Sequence, residues 1–157
     1  MSMYFIGIDI SKYKHDCCII SAANQKVVSK VIIKNNKAGF NELLTIIHSL
    51  ATPADIRIGF ESTAHYALNL ELFLENSLLT FMEVNPVLIS EYKKSKTLRR
   101  TKTDSVDCES IARWLMTVEY KPHSKGFYHA YSLKSLTRLR DKLIRQRSFY
   151  LVKITNV

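Results

Sequence analysis

Four acidic residues stand where their type and spacing point to chemistry: Asp9, Glu61, Asp104 and Asp107. Asp9 falls inside the apolar run YFIGIDI, and a carboxylate on a buried strand face needs a paired charge or a cation. Gly7, two residues earlier, leaves space beside it. Glu61 closes the run DIRIGFE at residues 55–61. On a helical wheel of about 100° per residue with Asp104 at the origin, Asp107 falls at about −60°, among Cys108, Ile111, Leu115 and Val118, which all lie within about 40° of the origin. Glu109 and Arg113 lie on the opposite side. A solvated acidic pair would lie there too, so Asp104 and Asp107 are expected to look toward the core. Four carboxylates converging from two strands and one helix turn form an anionic, oxygen-only site suited to Mg²⁺ or Mn²⁺. Two such ions about 3.5–4 Å apart stabilise the attacking and leaving oxygens of a phosphodiester displacement. Taken singly, each acid also has a plainer role. Asp104 suits a helix N-cap, Asp107 the positive end of a helix dipole, and Glu61 a solvated strand end. The stretch GIDIS around Asp9 is also similar to a phosphate-loop turn.

These acids need elements to position them. Residues 3–11 alternate, with Tyr4, Ile6, Ile8 and Ile10 on one face and Phe5, Gly7, Asp9 and Ser11 on the other. Both faces are largely apolar, which predicts a central strand. β-branched runs at 14–22 and 26–34, separated by Asn24-Gln25, predict two further antiparallel strands. Residues 37–50 switch to helical spacing, and Thr52-Pro53-Ala54 ends that helix. A strand at 55–61 follows, then a helix over 64–78 capped by Ser62 or Thr63, a fifth strand at 79–84, and a helix from Asn85-Pro86 to about 95. Asp104 opens a helix to about Val118. After a loop holding Pro122 and Gly126, a last amphipathic helix runs from about Ser132 to Val157 with Leu133, Leu136, Leu143, Tyr150 and Ile154 on its apolar stripe. That order predicts an α/β fold with a mixed five-stranded sheet, which is the ribonuclease-H-like order. Its first and fourth strands are neighbours, so Asp9 and Glu61 can approach each other.

The chain has 157 residues, 46% hydrophobic and 24% charged, values that exclude a disordered, collagenous or purely coiled-coil chain. No window is long and apolar enough for a membrane-spanning helix, and the N-terminus reads as a strand rather than a signal peptide. Cys17, Cys18 and Cys108 are odd in number and lack metal spacing, so they read as buried small residues in a reducing cytoplasm. Residues 1–92 carry 7 Lys+Arg against 9 Asp+Glu, whereas residues 93–157 carry 16 against 5. This asymmetry points to a polyanion on one side of the molecule. Lys93, Lys94, Lys96, Arg99, Arg100 and Lys102 give six positive charges in ten residues just before Asp104. They read as a phosphate clamp leading a nucleic-acid strand to the acids, or as a solvated loop. The last helix carries Arg138 and Arg145 among further basic residues, with an apolar stripe suited to a second helix. His65 lies near Glu61 and suits either proton transfer or a surface role. Trp114 reads as core.

The stretches GIDISK (7–12), ESTAHY (61–66) and KTDSVDCESIA (102–112) resemble the DEDD transposases of insertion sequences, which include the Piv pilin-gene invertases and bridge-RNA-guided recombinases. The resemblance covers essentially the whole chain as a RuvC-like domain (1–120) followed by a linker and the start of a basic coiled-coil helix (121–157). It implies that Asp9, Glu61, Asp104 and Asp107 are catalytic ligands of Mg²⁺ or Mn²⁺, with two ions at the site. It implies DNA and a guide RNA as partners, a homo-oligomer (dimer or tetramer) formed through the last helix, and a prokaryotic cytoplasmic, nucleoid-associated setting. It also implies a further domain with a serine nucleophile beyond this chain, without which strand exchange is not expected. Ala64 and Cys108 depart from the usual Gly and Ala of the family pattern, and both are small. Competing readings are a Holliday-junction-type nuclease and a non-catalytic RNA-binding or dimerisation module on the same fold. An actin-like ATPase is disfavoured, because four glycines do not supply its phosphate loops.

Overall fold

The computed structural model describes residues 3–61, 66–96, 104–123 and 127–155. Three strands form an antiparallel meander: β1 (Tyr4–Ile10), β2 (Lys14–Ser21) and β3 (Val27–Lys34). Helix α1 (Lys37–Leu50) and a 3₁₀ turn (Pro53–Asp55) lead to β4 (Ile56–Glu61). Helix α2 (Leu68–Asn76), β5 (Phe81–Val84), α3 (Pro86–Lys96), α4 (Asp104–Leu115) and α5 (Phe127–Thr155) follow. The sheet order is β3-β2-β1-β4-β5, with β4 parallel to β1 and β5 parallel to β4. The α/β class, the mixed sheet and the β1–β4 neighbourhood are those expected from the sequence.

Local chemistry explains the element ends. The Asn36 side chain accepts the Gly39 N–H at 3.0 Å and starts α1. Helix α2 ends two residues before the expected 78. Leu78 takes φ 57° there, and the Leu79 N–H reaches the Leu74 carbonyl at 2.9 Å, a Schellman-type closure built without glycine. The proposed caps Ser62 and Thr63 lie outside the described residues. Helix α4 ends at Leu115, short of Val118, in a turn where Met116 and Thr117 donate to Arg113 and Trp114. Helix α5 begins earlier than expected, at Phe127.

Alternation along β1 separates two layers. Ile6 and Ile8 are fully buried on one face, where Phe60 stacks on Phe81 at 5.2 Å and Phe40 of α1 meets Phe73 of α2 at 5.4 Å. Phe5, Gly7 and Asp9 point to the other face, covered by α4. There Cys18, Ile20, Cys108 and Ala112 form one buried cluster, and Val84, Ile89, Ile111, Trp114 and Leu115 another. All three cysteines are buried thiols. The space left by Gly7 is filled by α4 itself. A Cβ on Gly7 would sit 2.1 Å from the Cys108 carbonyl oxygen and 2.4 Å from the Ala112 nitrogen. Helix α4 therefore rests backbone to backbone on the centre of β1.

Contacts divide the chain into a globular unit, Met1–His123, and a second unit, Ser124–Val157, built on α5. Along α5, Leu136, Leu139, Leu143, Ile144, Tyr150, Leu151 and Ile154 are all exposed. No helix among the described residues is long and apolar enough to cross a membrane.

On the face away from α4, Glu71 of α2 is 7% exposed. Burial, and then Glu83 and Glu75, push its carboxyl up to about 7 from the ordinary 4.5. The folded state thus holds this proton at pH values where the unfolded chain has released it. That contribution to stability is complete below the unfolded value and is lost as pH rises through about 7. Glu71→Gln is expected to exceed the parent in stability at pH 8 by about 1–3 kcal/mol and to match it near pH 4. Urea unfolding at the two pH values checks both numbers.

Candidate active site

The register of β1 on β4 pairs Gly7 with Gly59 and Ile8 with Phe60. Continued by one residue, it sets Asp9 beside Glu61 at the C-terminal ends of adjacent parallel strands. Each acid follows its glycine by two residues, so both leave the sheet on the α4 face. This is the end of an open α/β sheet at which ligands ordinarily bind.

A fifth acid, missed in the sequence, joins them. Asp16 of β2 is the direct antiparallel partner of Asp9, and Lys14 holds its carboxylate at 3.3 Å. The signal was available, because reflecting the chain about the turn at Lys12-Tyr13 carries residue 9 onto residue 16. Like charges directly opposite each other on neighbouring strands repel. The cluster therefore calls for positive charge.

Helix α4 brings the next carboxylate. Asp107 lies one residue before Cys108, whose carbonyl rests over Gly7. Lys93 of α3 donates to Asp107 Oδ1 at 2.8 Å. Burial pushes the Glu61 carboxyl above the ordinary carboxylate range, the Lys93 ammonium draws it back down, and Asp107 raises it further. Glu61, Lys93 and Asp107 thus form one electrostatic unit. Lys93, grouped in the sequence with the basic segment, is placed among the acids because α3 packs along α4. Asp104 opens α4, and its side chain lies outside the described residues.

Among the described residues, no three carboxylate, imidazole or thiol groups are placed to hold a metal ion together. The donor set nevertheless suits a hard cation. It consists of carboxylate oxygens, one of them, Asp107 Oδ1, already paired with the Lys93 ammonium at 2.8 Å.

The other candidates are dispersed. Lys94 is exposed on α3. The Lys96 side chain lies outside the described residues, as do Arg99, Arg100, Lys102 and His65. Arg138 and Arg145 are exposed on α5, in the second unit. Glu109 and Arg113, expected to face solvent, pair with each other at 2.8 Å. Lys30 of β3 also reaches Glu109, at 2.7 Å, and this hydrogen bond does most to hold the Glu109 carboxyl below the ordinary range. This ion-pair group ties the outer side of α4 to the edge strand.

A family of DEDD transposases of the IS110 type, described as "Transposase", matches residues 6–157. The chain belongs to this DEDD transposase family. Similar to this chain are the pilin gene-inverting proteins of Moraxella bovis and Moraxella lacunata, each 34% identical over 116 residues. The match covers 73% of the chain but 34% of each relative, so the chain spans about a third of their length. The fold is similar to RuvC from Thermus thermophilus, solved in complex with a Holliday junction substrate and in a second structure. In both cases the TM-score is 0.53 at 11% identity over 77% of this chain, covering 99% and 100% of RuvC. The fold is therefore RuvC-like, within the ribonuclease-H-like class.

Proposed function

We propose that this chain supplies the acidic site of a metal-dependent transposase or recombinase that cuts and exchanges DNA strands. The observation that supports this most is the register placing Asp9 beside Glu61, with α4 seated on Gly7 to deliver Asp107 one turn from the helix start. In this reading Asp9, Glu61, Asp104 and Asp107 hold two Mg²⁺ or Mn²⁺ ions. Such ions, when bound, polarise the phosphoryl oxygens and lower the pKa of bound water. The carboxylates orient and neutralise; none acts as the nucleophile. Asp16 adds negative potential beside Asp9, and Lys93 spaces Asp107 from Glu61.

Lys93, which also pairs with Asp107, forms the phosphate clamp before the acids together with Lys94, Lys96, Arg99, Arg100 and Lys102, and Arg138 and Arg145 add contacts along α5. A structured guide RNA shares this basic surface with DNA. In this reading residues 1–120 form the RuvC-like domain and 121–157 the linker and start of a coiled-coil helix. The exposed apolar residues of α5 pack on the same helix of another protomer, giving a dimer or tetramer. The protein works in the prokaryotic cytoplasm, on the nucleoid. Strand exchange is assigned to the whole protein, since the relatives extend well beyond the matched segment.

The test is calorimetric titration of Mg²⁺ or Mn²⁺ into the wild type and into the Asp9→Ala/Asp104→Ala variant, each with and without a DNA duplex. The expected result is binding by the wild type and none by the variant. Equal heats from both would reject the four-acid site. Nucleic-acid binding without any cation binding, with duplex present, would favour the non-catalytic module.

A further inference from the structure

The turn between β1 and β2 presents an aromatic ring to solvent on a rigid backbone. Tyr13 is 75% exposed, unlike Phe40, Phe60 and Phe81, which are all buried. Its neighbours are cations. Lys12 places its ammonium 4.9 Å from the Tyr13 ring centroid. Lys14 follows, and β2–β3 pairing sets Lys34 directly across from it.

An exposed turn of this kind is ordinarily mobile, but this one is pinned from below. The Asn35 N–H donates to the Tyr13 carbonyl at 2.9 Å. The Asn35 amide nitrogen donates to the carbonyls of Lys12 and Tyr66, each at 3.2 Å. The Ser11 hydroxyl donates to the Lys14 carbonyl, and the Ser11 N–H donates to His15 Nδ1 at 3.3 Å. Asn35 therefore joins the turn that follows Asp9 to the segment that follows Glu61. Tyr13 lies four residues beyond Asp9, within ~14 Å of chain.

We infer that Lys12, Tyr13, Lys14 and Lys34 form a subsite for an unpaired nucleotide of the DNA strand that leaves the acid site. A ring carried on a held backbone stacks on a base at a reduced entropic cost, and every base offers a face to it. The lysines meet the flanking phosphates, which carry no sequence information. The pinned turn distinguishes this ring from a scattered surface tyrosine, because hydrogen bonds from Asn35 and Ser11 hold the backbone that aims it. The subsite rests on the proposed acid site for its direction, but its test reads binding and not cleavage.

The experiment uses the full chain in EDTA, with fluorescence anisotropy of labelled oligothymidine, oligouridine and a DNA duplex of equal length. Tyr13→Ala is expected to weaken oligothymidine binding roughly 5- to 100-fold. Tyr13→Trp restores it, and duplex affinity changes less than twofold. Lys12→Ala combined with Lys14→Ala lowers the salt dependence by about 0.7 in slope for each phosphate no longer neutralised. Failure of the acid-site reading shows in the cation titration, whereas failure of this one shows in the Tyr13→Ala binding measured in EDTA. The inference is overturned if wild type does not bind oligothymidine, if Tyr13→Ala binds within twofold of wild type, or if duplex binding falls equally. Tyr13 dependence on oligouridine alone would overturn the assignment to DNA.

Discussion

Gly7→Ala is expected to be the most damaging single methyl that can be added to this sheet. The new Cβ would meet the Cys108 carbonyl oxygen at 2.1 Å and the Ala112 nitrogen at 2.4 Å. Both are helix backbone, and neither can turn aside as a side chain can. Either α4 lifts off β1 or β1 bends, and each opens the two clusters beneath α4. The expected loss is about 3 kcal/mol or more, at the upper end for overpacking. Gly59→Ala is the control. Its Cβ would meet the Leu115 methyls at 2.7 and 2.9 Å, and a leucine end can change rotamer. That variant is expected to lose about 1 kcal/mol. Urea unfolding followed by Trp114, the single tryptophan and itself on α4, measures both. Equal losses in the two variants would show that the helix backbone is not what Gly7 accommodates.

The second large effect concerns chemistry. Asp9→Asn keeps the shape of the side chain and removes its charge. If Asp9 holds a cation at the strand end, DNA cleavage should fall on the order of 10³-fold or more, since metal stabilisation of the transition state is worth several kcal/mol. Stability should not fall, because the variant relieves repulsion with Asp16 across the β1–β2 pair. Nicking of supercoiled DNA by the full-length protein, with Mg²⁺ or Mn²⁺, gives the rate, and thermal unfolding gives the stability. Cleavage at the parent rate would remove Asp9 from the site.

What the sequence disclosed, and what it withheld, follows from the range of the interactions involved. Alternation in residues 3–11 and helical spacing in 37–50 are local, so the strands and α1 were legible nearly to the residue. The β1–β4 neighbourhood followed from the element order. The core-facing stripe of α4 followed from its wheel, and Cys108, Ile111 and Leu115 are all buried. Long-range pairings were not legible. Lys93 looked like one more cation in a basic run, and only the packing of α3 along α4 sets it against Asp107. Glu109 and Arg113 read as a solvated face, because nothing local shows that Lys30 of an edge strand reaches them. Gly7 read as room beside an acid, whereas the room belongs to a helix nearly 100 residues further along. The end of α2 was hidden for a different reason. Leu78 takes the conformation usually left to glycine, so no stop signal is written there. Asn35 carries no local signal, because its amide acts on carbonyls, which every residue possesses.

The seating of α4 has a consequence for how such a protein can diverge. Where a helix is held off a sheet by interlocking side chains, each core substitution changes the gap, and anything mounted on the two layers drifts with it. Here the gap over β1 is set by main chain against main chain, a spacing indifferent to which apolar residues surround it. Phe5, Ile111, Trp114 or Val84 can be exchanged for residues of similar bulk with the distance between strand-borne and helix-borne acids unchanged. The surroundings are free to adapt to new partners, while the missing methyl group at Gly7 keeps the two layers of the site in step.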